Sequence, residues 1–303
     1  MGKKGQPSQV TLVWTAAPAK INWTLEVLGR RDDGYHEIRS VMQTIDLCDD
    51  VSVGESDELR LEVGGELEAG EDDLALKAAR LAAEKVGREL PALIRIEKRI
   101  PVASGLGGGS SDAAAVLRLL NRLHGLRLSR EEMAELAAGV GSDAPFFVYG
   151  GTALVKGRGE RVTRLPDVPE AWFVLLVPPV SLAGKTRRMY EALSEDDFGG
   201  GSRTEAIGEA IKTGGMIEEG LLFNGFERAA DDMFEGLDGY REALLEAGAR
   251  AVHLAGSGPG LYALAPGEKE ARKMASGVKL LGGRIFVART MGAQEATGVV
   301  VNG

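Results

Sequence analysis

Residues 101–115 read Pro101-Val102-Ala103-Ser104-Gly105-Leu106-Gly107-Gly108-Gly109-Ser110-Ser111-Asp112-Ala113-Ala114-Ala115. They follow an alternating apolar run at 93–100, which predicts a strand stopped by Pro101, and lead into an alanine- and leucine-rich segment that predicts a helix over 108–123. Glycine is thus concentrated where a helix begins. Gly105, Gly107, Gly108 and Gly109 lack the Cβ atoms that would keep an anion from the backbone, and the helix N-terminus adds partial positive charge. Ser110 and Ser111 offer hydroxyls to oxygen or to magnesium. Together these properties predict a phosphate cradle. It is not a Walker A loop, since no Gly-Lys-Ser or Gly-Lys-Thr ends it, and it misses Gly-x-Gly-x-x-Gly because the last place is Ser110. A flexible Gly-Ser linker is the plain alternative, and the helix that follows at once argues against it.

The rest of the composition narrows what the cradle can serve. The chain has 303 residues, 44% hydrophobic and 27% charged, which suits one large or two medium globular domains. No run approaches the ~18 apolar residues of a membrane-spanning helix, and Met1-Gly2-Lys3-Lys4-Gly5-Gln6 leads into no apolar signal core, so a cytoplasmic location is the expectation. One cysteine, Cys48, cannot form an internal disulfide, and three scattered histidines supply no zinc-site spacing. A carboxylate and phosphate magnesium site stays compatible. With 36 Lys and Arg against 45 Asp and Glu, the net charge of -9 repels nucleic acid and anionic membranes, and no basic patch overrides it. An anionic ligand must therefore be held by backbone N–H groups, a helix N-terminus and a few placed cations.

Toward the N-terminus, residues 10–27 predict two strands around Ala17-Pro18-Ala19, followed by a turn at Arg31-Asp32-Asp33-Gly34. Further strands are predicted at 41–47, 51–53 and 59–63. Asp72-Asp73 predicts the cap of a helix carrying Leu74, Ala78, Leu81 and Ala82 at helical spacing and ending near Gly87. Toward the C-terminus, Ser129 and Glu132 form a capping-box pattern for a helix over 129–138, and strands are predicted at 151–156 and 160–165. Pro166 and Pro169 mark a boundary between a domain of residues 1–165 and one of residues 166–303. The second domain is expected to hold a strand at 172–177, helices at 187–193 and 203–212, and one longer helix within 224–247. Strands at 251–255 and 261–264, a helix over 268–280 and a strand at 284–289 complete it. The glycines at 198–202 read as a mobile loop, and the tail after Met291 as frayed.

Three more segments carry chemistry. In Pro18-Ala19-Lys20-Ile21-Asn22, strand alternation puts Lys20 and Asn22 on one face and Ile21 on the other, although alone the pair reads as two solvated strand residues. Gly139-Val140-Gly141-Ser142-Asp143-Ala144-Pro145-Phe146-Phe147 holds one carboxylate among small and apolar residues, and Asp143 is equally a general base or a cap. Leu254-Ala255-Gly256-Ser257-Gly258-Pro259-Gly260 lets backbone approach a ligand, with a tight hairpin as its plain reading. His124, His253 and Cys48 read as structural.

In this order the motifs resemble the GHMP kinase superfamily. With Gly29-Arg30-Arg31-Asp32-Asp33-Gly34-Tyr35-His36-Glu37 following the Lys20 strand, the chain is similar, from about Thr15 to Arg289, to the family of 4-diphosphocytidyl-2-C-methyl-D-erythritol kinases. The resemblance implies an α+β, two-domain GHMP kinase fold: an N-terminal nucleotide-binding α/β domain and a C-terminal ferredoxin-like α+β domain, with the substrates meeting between them. It implies transfer of the γ-phosphate of ATP to the 2-hydroxyl of the erythritol moiety, a step of the methylerythritol phosphate route to isoprenoid precursors. Carried over by residue, Lys98, Pro101, Ser104, Gly105, Leu106, Gly107, Gly108, Gly109, Ser110 and Ser111 would bind ATP. Magnesium would sit among ATP phosphate oxygens, with Ser110 or Ser111 as its protein ligand. Asp143 would take the hydroxyl proton, Lys20 would steady the carboxylate and the hydroxyl, and Asn22 would orient the same end of the substrate. His36 and Tyr35 would meet the cytosine, Tyr190 would take the opposite face of that stack, and Ser257 would border the substrate diphosphate. The implied partners are ATP and a cytidine diphosphate small molecule, with neither nucleic acid nor membrane, in a monomer or homodimer.

The chain departs from that family at Asp73, where Asn is common, at Ser104, where Gly or Ala is usual, and over 182–189, which is longer and more basic. Two rival readings are another kinase of the superfamily, of homoserine or mevalonate type, and a non-catalytic nucleotide-binding sensor. Lys20 together with Asp143 argues against the sensor, because a pure binder needs neither.

Overall fold

The computed structural model describes residues 12–64, 73–180, 182–215, 217–279 and 282–302. A strand covered on both faces must suit two cores at once, and the alternation around Lys20 does so. β1 (Leu12–Arg30) pairs antiparallel with β2 (His36–Gly54). Ile21 and Trp23 enter a core with Phe173, Leu175 and Tyr262, while Lys20 and Asn22 point into a cavity on the other side. The expected break at Pro18 is corrected. β1 is continuous, and register shifts between Pro18 and Ala19 and between Asn22 and Thr24 absorb the disruption as bulges. β2 likewise runs unbroken where two strands are predicted.

β3 (Arg60–Gly64), α1 (Leu74–Val86), β4 (Leu93–Glu97), α2 (Gly108–Leu123), α3 (Arg130–Val140), α4 (Ala144–Tyr149), β5 (Thr152–Gly157) and β6 (Arg161–Arg164) follow. Ala75, Ala79, Val116 and Leu120 of α1 and α2 pack on Val13, Val51 and Ile94, so one sheet face is helix-covered. Alanine at those places lets helix and sheet approach closely. Asp73 caps α1 through Ala75 N–H, and Ser129 with Glu132 forms the expected capping box at α3. The strand predicted to reach Ile100 stops at Glu97. Beyond it the N–H groups of Arg99 and Ile100 donate to the Asp49 carboxylate of β2 instead of to a strand carbonyl.

The chain continues through β7 (Trp172–Val177), α5 (Lys185–Glu191), α6 (Ser202–Lys212), β8 (Phe223–Asn224), α7 (Glu227–Met233), α8 (Leu237–Glu246) and β9 (His253–Leu254). β10 (Leu261–Ala265), α9 (Glu268–Gly277), β11 (Arg284–Arg289), α10 (Ala293–Thr297) and β12 (Val300–Asn302) end it. One sheet has the path β12-β1-β2-β4-β3, with β5 and β8 joined to β2 and β1 and with β6 joined to β5. The second is antiparallel in the order β11-β7-β10-β9, the fourth-first-third-second order of a ferredoxin-like unit.

Other expectations need correction. The single helix within 224–247 is two, because Phe234 turns into the core and Gly236 takes a left-handed φ of 78°. The strand at 251–255 is reduced to His253–Leu254. The glycines at 198–202 are tied down: Gly199 N–H donates to Val27 O (2.8 Å), and Gly201 N–H, Thr204 N–H and the Thr204 hydroxyl all donate to buried Glu26. Nor is the tail frayed. β12 pairs with residues 12–14 of β1, and the Thr15 hydroxyl donates to Gly298 O. Val10, Asp72 and Leu280, each named in a predicted element, lie outside the described residues. Among the described residues no helix is long and apolar enough to cross a membrane.

Candidate active site

A cavity of about 1410 Å³ runs from the glycine loop, past Lys20 and Asp143, to His36 and Tyr190. It contains the side chains or backbone of most of the residues that the sequence singles out. Leu106 and Ser111 are buried just behind the loop and do not line it.

On the loop side the backbone makes the wall. Gly107, in the left-handed region at φ 77°, starts α2, and a Cβ there would meet the Phe147 ring at 2.8 Å. Gly105, at φ 89°, lies so close to the segment 255–258 that a Cβ would sit 2.0 Å from Ala255 O. Ser104 bonds within the loop to Pro101 O (2.7 Å), and its carbonyl accepts from Gly260 N–H (2.9 Å). Leu106 O accepts from Lys20 N–H (2.9 Å), which fixes the loop to β1. The loop is clamped between the first strand and the late glycine turn.

Lys98 lines the same end. It donates to Asp49 and, at 2.6 Å, to Asp112. Burial alone would pull its ammonium down, but Asp112 and Asp49 outweigh that and hold it above its ordinary value. Burial drives the Asp112 carboxyl up, with Lys98 only partly offsetting it. Asp112 Oδ1 and the Ser111 hydroxyl are buried with no partner. Asp73, where the family pattern has Asn, spends its carboxylate on capping α1 while lining the cavity.

At the centre, Lys20 is 3% exposed and its ammonium lies 3.6 Å from Asp143 Oδ2. Nζ also donates to Asn22 Oδ1 (2.8 Å), Asn22 Nδ2 donates to the Ser40 hydroxyl (2.8 Å), and that hydroxyl donates to Thr24 O. Asn22 thus orients Lys20. Asp143 occupies the cap position of α4, but its side chain makes no capping hydrogen bond and is a third exposed. Of the two readings open for this residue, the capping hydrogen bond is absent, and the carboxylate lines the cavity beside Lys20.

At the far end, the His36 and Tyr190 rings stack directly, with centroids 4.9 Å apart and planes at 25°. Phe226 meets Tyr190 edge-on. The resemblance put Tyr190 across a base from His36; here the two rings touch. Tyr35 is half exposed, under the Arg158 guanidinium at 4.8 Å. Burial and then Arg30 lower the His36 pKa, so the neutral ring dominates at pH 7, and its Nε2 is buried without a partner. Burial, followed by Asp143, raises the Tyr190 phenol well above its ordinary value.

Ser257 lines the cavity between Gly256 and Gly258. Asn224 fixes that turn by donating to Leu254 O (2.9 Å) and Gly256 O (2.7 Å). Sequence reasoning missed Lys185, at the start of α5. It is 9% exposed, lines the cavity and donates to Gly258 O. Burial and then Lys20 pull its ammonium down to about 8, with Asp143 opposing. The unusually basic run at 182–189 was its only signal. Arg158, also missed, follows no motif.

Comparison with known proteins agrees in both halves. The family model for the GHMP kinases N terminal domain matches residues 73–151, and that for GHMP kinases C terminal matches residues 204–282. The 4-diphosphocytidyl-2-C-methyl-D-erythritol kinase of Dehalococcoides mccartyi is 42% identical over 277 residues, 91% of this chain and 97% of that protein. The enzyme of the same name from Bacillus subtilis is 38% identical over 293 residues, 92% of this chain and 97% of its own. A crystal structure of 4-(cytidine 5'-diphospho)-2C-methyl-D-erythritol kinase superposes with a TM-score of 0.78 at 35% identity, covering 92% of this chain and 99% of that one. Homoserine kinase from Cytophaga hutchinsonii, at 18% identity and a TM-score of 0.73 over 99% of this chain and 100% of its own, shares the fold.

Proposed function

Because the chain belongs to the GHMP kinases, and within them to the 4-diphosphocytidyl-2-C-methyl-D-erythritol kinases, we propose that it transfers the γ-phosphate of ATP to the 2-hydroxyl of 4-diphosphocytidyl-2-C-methyl-D-erythritol. One observation carries the reading: a single cavity joins an amide-lined glycine loop, a Lys20–Asp143 pair and an aromatic end holding a neutral imidazole. Those three parts match phosphate donor, reacting hydroxyl and nucleobase in order.

Phosphoryl transfer asks little covalent work of a protein, so placement and charge stabilisation dominate. The loop amides and the N-terminus of α2 hold the ATP phosphates, with Lys98 beside them. Asp143 accepts the proton of the 2-hydroxyl as its oxygen attacks the γ-phosphorus and ADP leaves. Lys20, oriented by Asn22, steadies the carboxylate and the charge that builds on the transferring oxygens. The neutral His36 ring can donate or accept at the edge of the cytosine.

Magnesium fits this donor set. Among the described residues no group of three or more His, Cys, Asp or Glu side chains stands ready for a metal, and ATP phosphate oxygens would supply most of its ligands. Of the two serines, Ser110 lines the cavity and would be the protein donor, Ser111 being buried behind the loop, and the unpartnered Asp112 Oδ1 is a further hard oxygen on the same wall. Bound there, magnesium would neutralise phosphate charge.

The test is ADP release with magnesium-ATP and the cytidine substrate, beside homoserine and mevalonate. Turnover with the cytidine substrate alone is expected. Turnover with another alcohol would remove the substrate assignment, and ATP binding without turnover on any of them would leave a sensor.

A further inference from the structure

A cation buried without its own carboxylate is unstable unless something anionic completes it. Lys185 is such a cation. It projects from the first residue of α5 into the cavity and donates to the Gly258 carbonyl, a neutral acceptor. The carboxylate whose charge reaches it, Asp143, is already paired with Lys20. Lys20 itself adds like charge, since a Cβ on Gly256 would lie 2.8 Å from its Nζ, at the same turn that Lys185 holds through Gly258. Two lysines therefore flank Ser257.

Position along α5 says which anion is missing. Tyr190, near the C-terminal end of this helix, belongs to the stacked rings where the base is placed. Toward the helix start the cavity passes Lys185 and then reaches Lys20 and Asp143, where the hydroxyl reacts. A nucleoside diphosphate joined to an alcohol has the same sequence of parts: base, diphosphate, hydroxyl. We propose that Lys185 binds the diphosphate of the acceptor substrate, acting as a specificity residue for a cytidine diphosphate-linked alcohol. The proposal rests on the kinase reading above and adds a residue to it.

The test compares the parent protein with Lys185→Met and Lys185→Arg, with ADP saturating the glycine loop, by titrating cytidine and CDP separately. In Lys185→Met the preference for CDP over cytidine should shrink about tenfold while the cytidine affinity holds. Lys185→Arg should restore most of that preference. In turnover, the KM for the cytidine substrate should rise about tenfold in the Met variant, with kcat and the KM for ATP nearly unchanged. The melting temperature of Lys185→Met should equal or exceed the parent's, since a buried unpaired charge is removed. An unchanged CDP preference, or a fall in kcat with KM unaltered, would overturn the diphosphate assignment, and a lower melting temperature with unchanged affinities would make Lys185 a structural tie to Gly258. If cytidine itself fails to bind the parent protein, the kinase reading fails, and the diphosphate assignment with it.

Discussion

The two ends of the cavity are built from different material. At the proposed donor end the contacts are mostly backbone: glycines at 105 and 107, the first turn of α2, and carbonyls clamped to β1 and to the late turn, with Lys98 as the charged side chain beside them. At the acceptor end they are side chains from distant segments, with His36 from β2, Tyr190 and Lys185 from α5, and Ser257 from the turn before β10. A backbone site tolerates almost no added atom. A side-chain site loses one interaction at a time, and so can be retuned for a new acceptor while the donor end stays as it is.

Substitutions can break or sharpen this contrast. The largest effect is expected where the two ends meet: Asp143→Asn should lower kcat about 10³-fold and leave the KM for ATP near the parent value, by steady-state kinetics. An equal fall in ATP affinity would mean that the base belongs to the donor end. Next comes Gly105→Ala, whose methyl would stand 2.0 Å from Ala255 O on a backbone at φ 89°. It should destabilise the fold by about 3 kcal/mol in urea melts and weaken ATP binding. Gly239→Ala, exposed on α8 far from the loop and with nothing within 4 Å of its Cβ, is the silent control.

A third effect separates the halves by pH. Burial, with Arg241, pulls the His253 imidazole from 6.5 to about 4. Above 6.5 the ring is neutral in both folded and unfolded chains. Between there and about 4 only the unfolded chain takes the proton, so stability falls as pH falls, by up to about 3 kcal/mol. The His253 ring lies tilted against Tyr262, whose hydroxyl donates to Asn22 O, so acid should loosen the acceptor half first. Urea melts of His253→Phe should lose most of this acid dependence, and an unaltered profile would place the sensitivity elsewhere. Smallest of the set, His36→Ala should raise the KM for the cytidine substrate about tenfold and spare ATP; equal loss for both substrates would erase the distinction between the ends.

The same contrast decides what could be read from the chain alone. The donor end was legible because its information is local: consecutive glycines before a helix mean backbone access wherever they occur. Lys20 and Asn22 were legible as a face, through alternation over three residues. Whether Asp143 capped a helix or faced a cavity was not, since either use fits the same local sequence and only the placement of Lys20 decides it. Lys185 gave no motif because its meaning lies in Gly258 and Lys20, far away in sequence. Strand lengths were misjudged for a related reason: bulges let β1 and β2 continue through proline and irregular pairing. The tail after Met291 looked frayed because a three-residue strand has no periodicity of its own, only the edge of β1 to pair with.

That last pairing bears on how the protein is made. β1 is the first described strand, yet its neighbours include β8, at residues 223–224, and β12, at residues 300–302. On the ribosome, the strand that carries Lys20 emerges early and must wait for most of the chain before its sheet is closed. Until then it presents an open, largely apolar edge of the kind that pairs with other chains. A chain ending after β2 but before residue 223 would leave both stretches of that edge unpaired, and one ending between 225 and 299 would leave only residues 12–14 without a partner strand.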